Sequence, residues 1–255
     1  MTATLSSPSP EDDDDPTQHA VAKNRPKNLL VATLANDTDA IKECLDDPTR
    51  AQQQVEKTDR FGQRPLVHAA ARNFKEAVQM LLLANADPNA RNEDTYETAL
   101  HRATSENHSD LVQLLLENGA KITPLKNGMN PIHIASRAGH LESLKILLAH
   151  ESSVVDSLDL TLATPLTLAA SHGHTAACIA LLEQGAAVEQ QDENGWTPFL
   201  HAMRNSHAET ALELLRRGAN REHQTRGGES AVTMNAILLE TLAESSENPV
   251  EECAQ

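Results

Sequence analysis

Twelve histidines are the richest source of chemistry in this 255-residue chain. An imidazole can act as a general base near neutral pH or bind a metal through either ring nitrogen. The stretch "SHGH", Ser171 to His174, even spaces His172 and His174 as a chelating pair would be spaced. The surrounding sequence does not support that use. Most of the histidines recur at a fixed period instead of gathering with other ligand types, and the carboxylates are scattered over faces that read as solvated. Cys44, Cys178 and Cys253 are far apart and odd in number. Two fall in expected helices and one near the C-terminus, so neither a disulfide framework nor a metal site follows. Ser-His-Asp, phosphate-loop and Cys-rich motifs are missing from the sequence. Asn107-His108-Ser109 is a formal glycosylation sequon whose place between helices argues for coincidence. No catalytic, cofactor-binding or metal-binding residue is assigned, and no cofactor is expected.

The elements that carry the histidines are short. In "TPLTLAASHGHTAACIALLEQGAA", Thr164 is a good N-cap and Pro165 suits the first helical position, where its missing N–H has no partner to lose. A helix with Leu166, Leu168, Ala169 and Ala170 then runs to Gly173, whose tolerance of positive φ ends it. A second helix follows, with Cys178, Leu181 and Leu182 on one face and Gly185 at its close. Helices this short fall below the roughly 12–15 residues that support themselves in water, so neighbours must hold them.

The neighbours are in the sequence. "RPLVHAAARNF", "TALHRATSENH", "NPIHIASRAGH" and "TPFLHAMRNSH", beginning at Arg64, Thr98, Asn130 and Thr197, repeat the "TPLTLAASHGH" pattern of Thr164. Each is followed by a leucine-rich run, and successive starts are 34, 32, 34 and 33 residues apart. Such a period signals a solenoid in which each unit buries its apolar face on the next.

These residues resemble the ankyrin-repeat family, whose unit of about 33 residues carries T-P-L-H-x-A-A, then G-H, then L-L-x-x-G-A-D. The resemblance implies an all-α fold, a solenoid of stacked helix-turn-helix units joined by short β-hairpin-like loops. It divides the chain into an acidic disordered tail over 1–26, a repeat domain over 27–243 and a second acidic disordered tail over 244–255. Within the domain it sets an N-terminal cap at 27–58, full repeats at 59–92, 93–124, 125–158, 159–191 and 192–224, and a C-terminal cap at 225–243. The first cap, with "LLVATLANDTDAIKECL", matches the paired helices only. The second, with "GGESAVTMNAILLETLA", starts in register and runs on as one helix. His101 and His133 hold the T-P-L-H position, which implies a ring bonded to neighbouring backbone, and His108, His140, His174 and His207 hold the G-H position. His68 and His201 sit one place later and read as packing or interface groups. Arg64 and Asn130 replace the capping threonine, Ala99 replaces proline, and Tyr96 and Leu162 stand where the hairpin glycine is usual. The hairpins of the second and fourth full repeats are therefore expected to be less regular.

Composition bounds the partners. Apolar residues make up 39% of the chain but aromatics only 2%, which suits thin stacked helical layers more than a deep interior. No apolar run approaches the ~20 residues of a membrane span, and Met1 to Ala20 lacks the basic and apolar regions of a signal peptide. The net charge of −16 argues against nucleic acid as a partner, since phosphate attraction needs a basic surface. A soluble cytoplasmic monomer is expected. Nuclear import is left open, because the basic run Lys23 to Lys27 is too short to decide it.

Function then falls to the surface. In the family, hairpin tips and the exposed ends of the first helices form a concave binding face. The resemblance places Arg60, Phe61, Arg72, Met129, Arg137, Leu160, His172, Trp196 and Arg204 there. Large apolar groups beside arginines suit a partner segment with acidic and apolar side chains, because interface energy concentrates in such residues. Trp196 is expected to serve binding and leave the fold almost unchanged when replaced; the bland alternative is that it covers the adjacent hairpin. The implied role is a non-catalytic adaptor or scaffold. Its rival is a stoichiometric inhibitor or assembly chaperone that masks a kinase, transcription factor or proteasome subunit. An enzyme or channel with accessory repeats is disfavoured, because the flanking segments are shorter than the roughly 50 residues of a small domain.

Overall fold

The computed structural model describes residues 28–234. The expected tails over 1–26 and 244–255, and the end of the C-terminal cap, lie outside them. Helix α1 spans Leu29–Leu34 and α2 Thr38–Leu45, each started by a side chain that accepts from an unpaired helical N–H. Asn28 Oδ1 accepts from Leu30 at 3.0 Å and Asp37 Oδ1 from Ala40 at 2.9 Å. Helix α3, Pro48–Val55, is an addition that the repeat pattern did not reveal. Its signal is local: Asp47 caps it by accepting from Thr49 and Arg50, and Pro48 holds the first position. Gln54 of α3 accepts from the Leu29 N–H at 2.7 Å and so fixes α3 against the first helix.

Five helix pairs follow: α4 (Pro65–Ala71) with α5 (Lys75–Leu83), α6 (Ala99–Ser105) with α7 (Ser109–Glu117), and α8 (Pro131–Ala138) with α9 (Leu141–His150). Then come α10 (Pro165–Ser171) with α11 (Thr175–Glu183) and α12 (Pro198–Arg204) with α13 (Ala208–Arg216), followed by α14 (Ala231–Met234). Consecutive first helices pack side by side, as do the second helices from α7 through α9 and α11 to α13, giving two layers. The same positions supply the core in every repeat. Leu66, Leu100, Ile132, Leu166 and Phe199 are buried from the first helices, and Leu81, Leu115, Leu147, Leu181 and Leu214 from the second. No pair could bury these side chains alone, so stability is shared between neighbours. Among the described residues there is no strand, only an isolated bridge between Gln224 and Ser230, and no helix is long and apolar enough to cross a membrane.

The uneven period has a structural cause. The loop that opens the second repeat closes from Asn92 N–H to Glu97 O, one residue wider than the closure from Asp59 to Gln63 in the first. A 3-10 turn at Ser152–Val154 takes up an extra residue in the third. Between the paired helices the chain turns through positive φ at Gly139 and Gly173. A Cβ on Gly139 would lie 2.6 Å from the His174 ring, and one on Gly173 2.5 Å from that of His207. These glycines therefore give the next repeat's histidine room as well as allowing the turn.

Candidate protein-interaction face

Among the described residues, six finger-like loops lead into or lie beside the first-helix layer. Each is closed by a backbone hydrogen bond across its base: Asp59 to Gln63, Asn92 to Glu97, Leu125 to Met129, Asp159 to Ala163, Asp192 to Trp196 and Thr225 to Glu229. Neighbouring fingers are also tied at their tips. Asn92 Nδ2 donates to Phe61 O at 2.7 Å, and the N–H groups of Lys126, Leu160, Glu193 and Arg226 donate to the carbonyls of Thr95, Asn127, Thr161 and Asn194 at 3.0–3.2 Å. The row of tips is thus one connected edge. Tyr96 and Leu162 hold positive φ, 64° and 59°, as Gly62, Gly128 and Gly195 do in other fingers. The fourth finger keeps the standard closure despite its leucine; only the second is irregular, because it is longer.

Histidines fix the repeats to one another in both directions. In the second and third repeats, Nε2 of His101 and His133 donates forward to Thr123 O at 2.9 Å and Ala163 O at 3.3 Å. Nδ1 of each ring accepts from the backbone N–H of Thr98 or Asn130. That pattern requires the neutral ring, and burial holds His101 down to about 4 and lowers His133 too. The second set reaches backward. His108, His140, His174 and His207 donate to the carbonyls of Ala71, Thr104, Arg137 and Ser171 in the preceding repeats, at 2.9–3.3 Å. Burial chiefly lowers His174, helped by the charges of His172, His207 and His140. His172 stacks on the His174 ring with centroids 6.1 Å apart, and among the described residues no group of three or more His, Cys, Asp or Glu side chains could hold a metal ion. The Cys178 thiol is buried and pushed up to about 12, which keeps it un-ionised.

His68 and His201 have a different use. Nε2 of each meets a finger aspartate, Asp59 Oδ2 or Asp192 Oδ2, at 2.9 Å. The other oxygen of each aspartate accepts two backbone N–H groups, Phe61 and Gln63 for Asp59, Asn194 and Trp196 for Asp192. Burial alone would raise the Asp59 carboxyl, but these bonds hold it below its ordinary value. The first and fifth fingers are therefore locked onto their own first helices.

The expected contact residues do not all lie on the surface. Arg60, Phe61, Arg72, Arg137, Leu160, His172 and Arg204 are exposed. Trp196 and Met129 are not: each is only 6% exposed. The expectation that these two stand out as contact groups is corrected by their packing. Trp196 lies beneath Arg204, whose guanidinium carbon is 4.8 Å from the ring centroid, and beside His201 at 5.3 Å. Met129 lies under Arg137, with Nη1 3.8 Å from Sδ. Arg72 is held otherwise, by His68 Nδ1 at 3.2 Å, and its position is one residue later in its repeat than those of Arg137 and Arg204.

Charge is sorted by layer. On the second helices Lys75 pairs with Asp110 and Lys145 with Glu142, and Arg217, at the C-terminal cap of α13, pairs with Glu213. On the inner face, no described carboxylate lies within ion-pair distance of Arg60, Arg72, Lys126, Arg137 or Arg204. Two cations of the first-helix layer are exceptions: Arg102 lies 3.6 Å from both Glu97 and Glu106, and Arg64, which precedes α4, lies 2.9 Å from Glu56. A groove of about 510 Å³ between the first two repeats brings Phe61 and Arg72 together with His68, Glu97 and Glu106. Three exposed residues of this edge lay outside the expected set: Tyr96, Leu158 and Leu162, at 41–44% exposure. For Tyr96 and Leu162 the signal in the sequence is a large side chain at the position where other fingers carry glycine; Leu158, just before the finger's first residue, has no such signal.

Similarity to known proteins follows the same repeats. The chain is 38% identical over 125 residues to ankyrin repeat protein nuc-2 of Neurospora crassa, covering 48% of this chain and 11% of that protein. It is 31% identical over 134 residues to a transient receptor potential cation channel subfamily A member 1 homolog of Caenorhabditis elegans, and 29% over 133 residues to inversin of Gallus gallus. In both cases 52% of this chain and 11% of the relative are covered, so the chain spans about a tenth of the length of these relatives. The family model for ankyrin repeats, in three copies, matches residues 67–157 and 153–225, more than half of the sequence, and the chain belongs to the ankyrin-repeat family.

Proposed function

We propose that the chain is a non-catalytic adaptor or scaffold that binds a partner protein along the finger edge and the inner ends of the first helices. Ankyrin repeats are in general protein-interaction modules, and this chain adds a specific surface to that general role. The observation that carries the reading is the sorting of charge. In a chain of net charge −16, exposed inner-face cations lie against rings, a sulfur or solvent, while Lys75, Lys145 and Arg217 of the outer layer of the five helix pairs meet carboxylates. A cation left without a carboxylate partner is available to one on another molecule, and such complementarity chiefly sets specificity and association rate. The partner it suits has acidic and apolar side chains.

The test is affinity capture from lysate with the intact protein beside an Arg72→Glu, Arg137→Glu, Arg204→Glu triple variant, after circular dichroism has shown equal helicity. The intact form should retain proteins that the variant loses, in a manner weakened by salt. Retention of the same proteins by both forms would sink the proposal.

A further inference from the structure

The fourth finger differs from the others. Its sequence alternates Leu158, Asp159, Leu160, Thr161 and Leu162. The three leucines are 44%, 71% and 43% exposed, the densest group of exposed large apolar side chains among the described residues. The finger is nevertheless well held. Asp159 Oδ1 accepts from the N–H groups of Thr161 and Ala163 at 2.8 and 3.0 Å and from the Thr161 hydroxyl at 2.7 Å, and both sides of the tip are tied to adjacent fingers. Leu162 meanwhile adopts φ 59°, in the left-handed region that favours glycine. Two costs therefore meet in one loop: apolar surface left in water and a bulky residue at positive φ. The first is not offset within the described fold, because Leu158, Leu160 and Leu162 are not part of its hydrophobic core.

The surroundings indicate what would cover these leucines. The third finger, joined to Leu160 through Asn127 O, carries Lys126 at its tip, and the third repeat presents Arg137 at the end of α8. No described carboxylate is paired with either. Of the third finger's apolar residues, Met129 is buried and Leu125 half-buried, so positive charge and exposed leucine lie on adjacent repeats. Resting on the reading of this face as protein-binding, we propose that the fourth finger is its apolar anchor. It receives a partner segment that sets one or two large apolar side chains on Leu160 and Leu162 and directs flanking carboxylates to Lys126 and Arg137. The occupant is a short acidic, leucine- or phenylalanine-bearing stretch of another protein. Rigid presentation of the tip lowers the ordering cost of binding it.

The experiment is selection of a displayed random-peptide library on the intact protein, followed by titration of the selected peptides, fluorescently labelled, against variants. Selected peptides should combine acidic with large apolar residues. Leu160→Ser and Leu162→Gly should each weaken them by about tenfold or more, as loss of an interface anchor does. Arg137→Glu should weaken them in a salt-dependent way. Leu162→Gly is the discriminating variant: it relieves the positive-φ strain, so its unfolding midpoint should equal or exceed that of the intact protein while affinity falls. Three results would overturn the anchor: peptides lacking acidic and apolar residues together, equal affinity for the leucine variants, or a lower midpoint for Leu162→Gly. If the leucine variants bind normally but the triple arginine variant does not, the anchor fails and the protein-binding reading stands. If the triple arginine variant also binds normally, both fall.

Discussion

The two helical layers hold their polar groups in opposite ways. The outer layer, α5, α7, α9, α11 and α13, keeps its lysines in loose pairs of exposed side chains, such as Lys145 with Glu142 at 3.3 Å, 55% and 70% exposed; Arg217, at 2.9 Å from the more covered Glu213, is its tightest pair. The inner layer and its fingers use buried or partly buried bonds between histidines and carbonyls of neighbouring repeats and aspartates that lock fingers, together with hydrogen bonds from tip to tip. Solvated pairs contribute little to stability, whereas a polar group buried with its partner is costly to deprive of it. The outer layer can thus change its charges freely, while the inner layer is fixed in shape. That is what a binding edge requires, since a surface already ordered in its bound form loses less entropy on association.

Trp196 gives the hardest test of this contrast. It is a core member under Arg204, and removing its ring should leave a void at the base of the fifth finger. Trp196→Ala is expected to cost about 3–5 kcal/mol in urea unfolding, the range for emptying a large aromatic site. A loss below about 0.5 kcal/mol, the scale of a change at an ordinary surface position, would return Trp196 to the surface role that the sequence suggested.

Acid should loosen the inner layer before the outer one. His101 is held down to about 4 by burial, with the nearby Arg91 charge acting the same way and its bond to Thr123 O opposing them. In the unfolded chain the same ring titrates near 6.5, so between those values the unfolded state binds the extra proton. Stability from His101 is therefore complete above about pH 6.5, falls as pH drops through that window, and is gone near pH 4, a change of about 3 kcal/mol. His133 and His174 shift in the same direction and add to the fall. Urea midpoints at pH 7.5 and 5 should differ in that sense, and His101→Gln should narrow the difference. Identical midpoints for the intact protein would show that the forward histidine bonds do not carry the linkage.

Much of the fold was legible because the repeat writes its own rules. Thr164-Pro165 starts a helix by local chemistry, Gly139 and Gly173 end one, and Leu181 recurs at a fixed distance from each start. The forward and backward histidines were legible as structural for the same reason. The extra helix α3 was not, because it stands outside the period, although Asp47-Pro48 carried its start. Trp196 and Met129 were misplaced for a different reason. They end fingers, where a side chain can turn outward or fold under the next arginine, and only the packing of Arg204 and Arg137 decides between them. Leu162 presents the reverse case: its glycine-like position was readable, but the regular finger it forms depends on the Asp159 side chain and the tip bonds.

The smallest effect sharpens the contrast most directly. Lys145 and Glu142 lie three residues apart on α9, and both side chains are more than half exposed. Solvent screens such a pair and leaves each side chain free to move, so Lys145→Ala should change stability by no more than about 0.5 kcal/mol. A double-mutant cycle with Glu142→Ala isolates the pair from any change in helix propensity. A coupling energy near zero agrees with an outer layer whose charges serve solubility. A coupling above about 1 kcal/mol would mean that the outer pairs are as structural as the inner bonds, and the division of labour between the layers would fail.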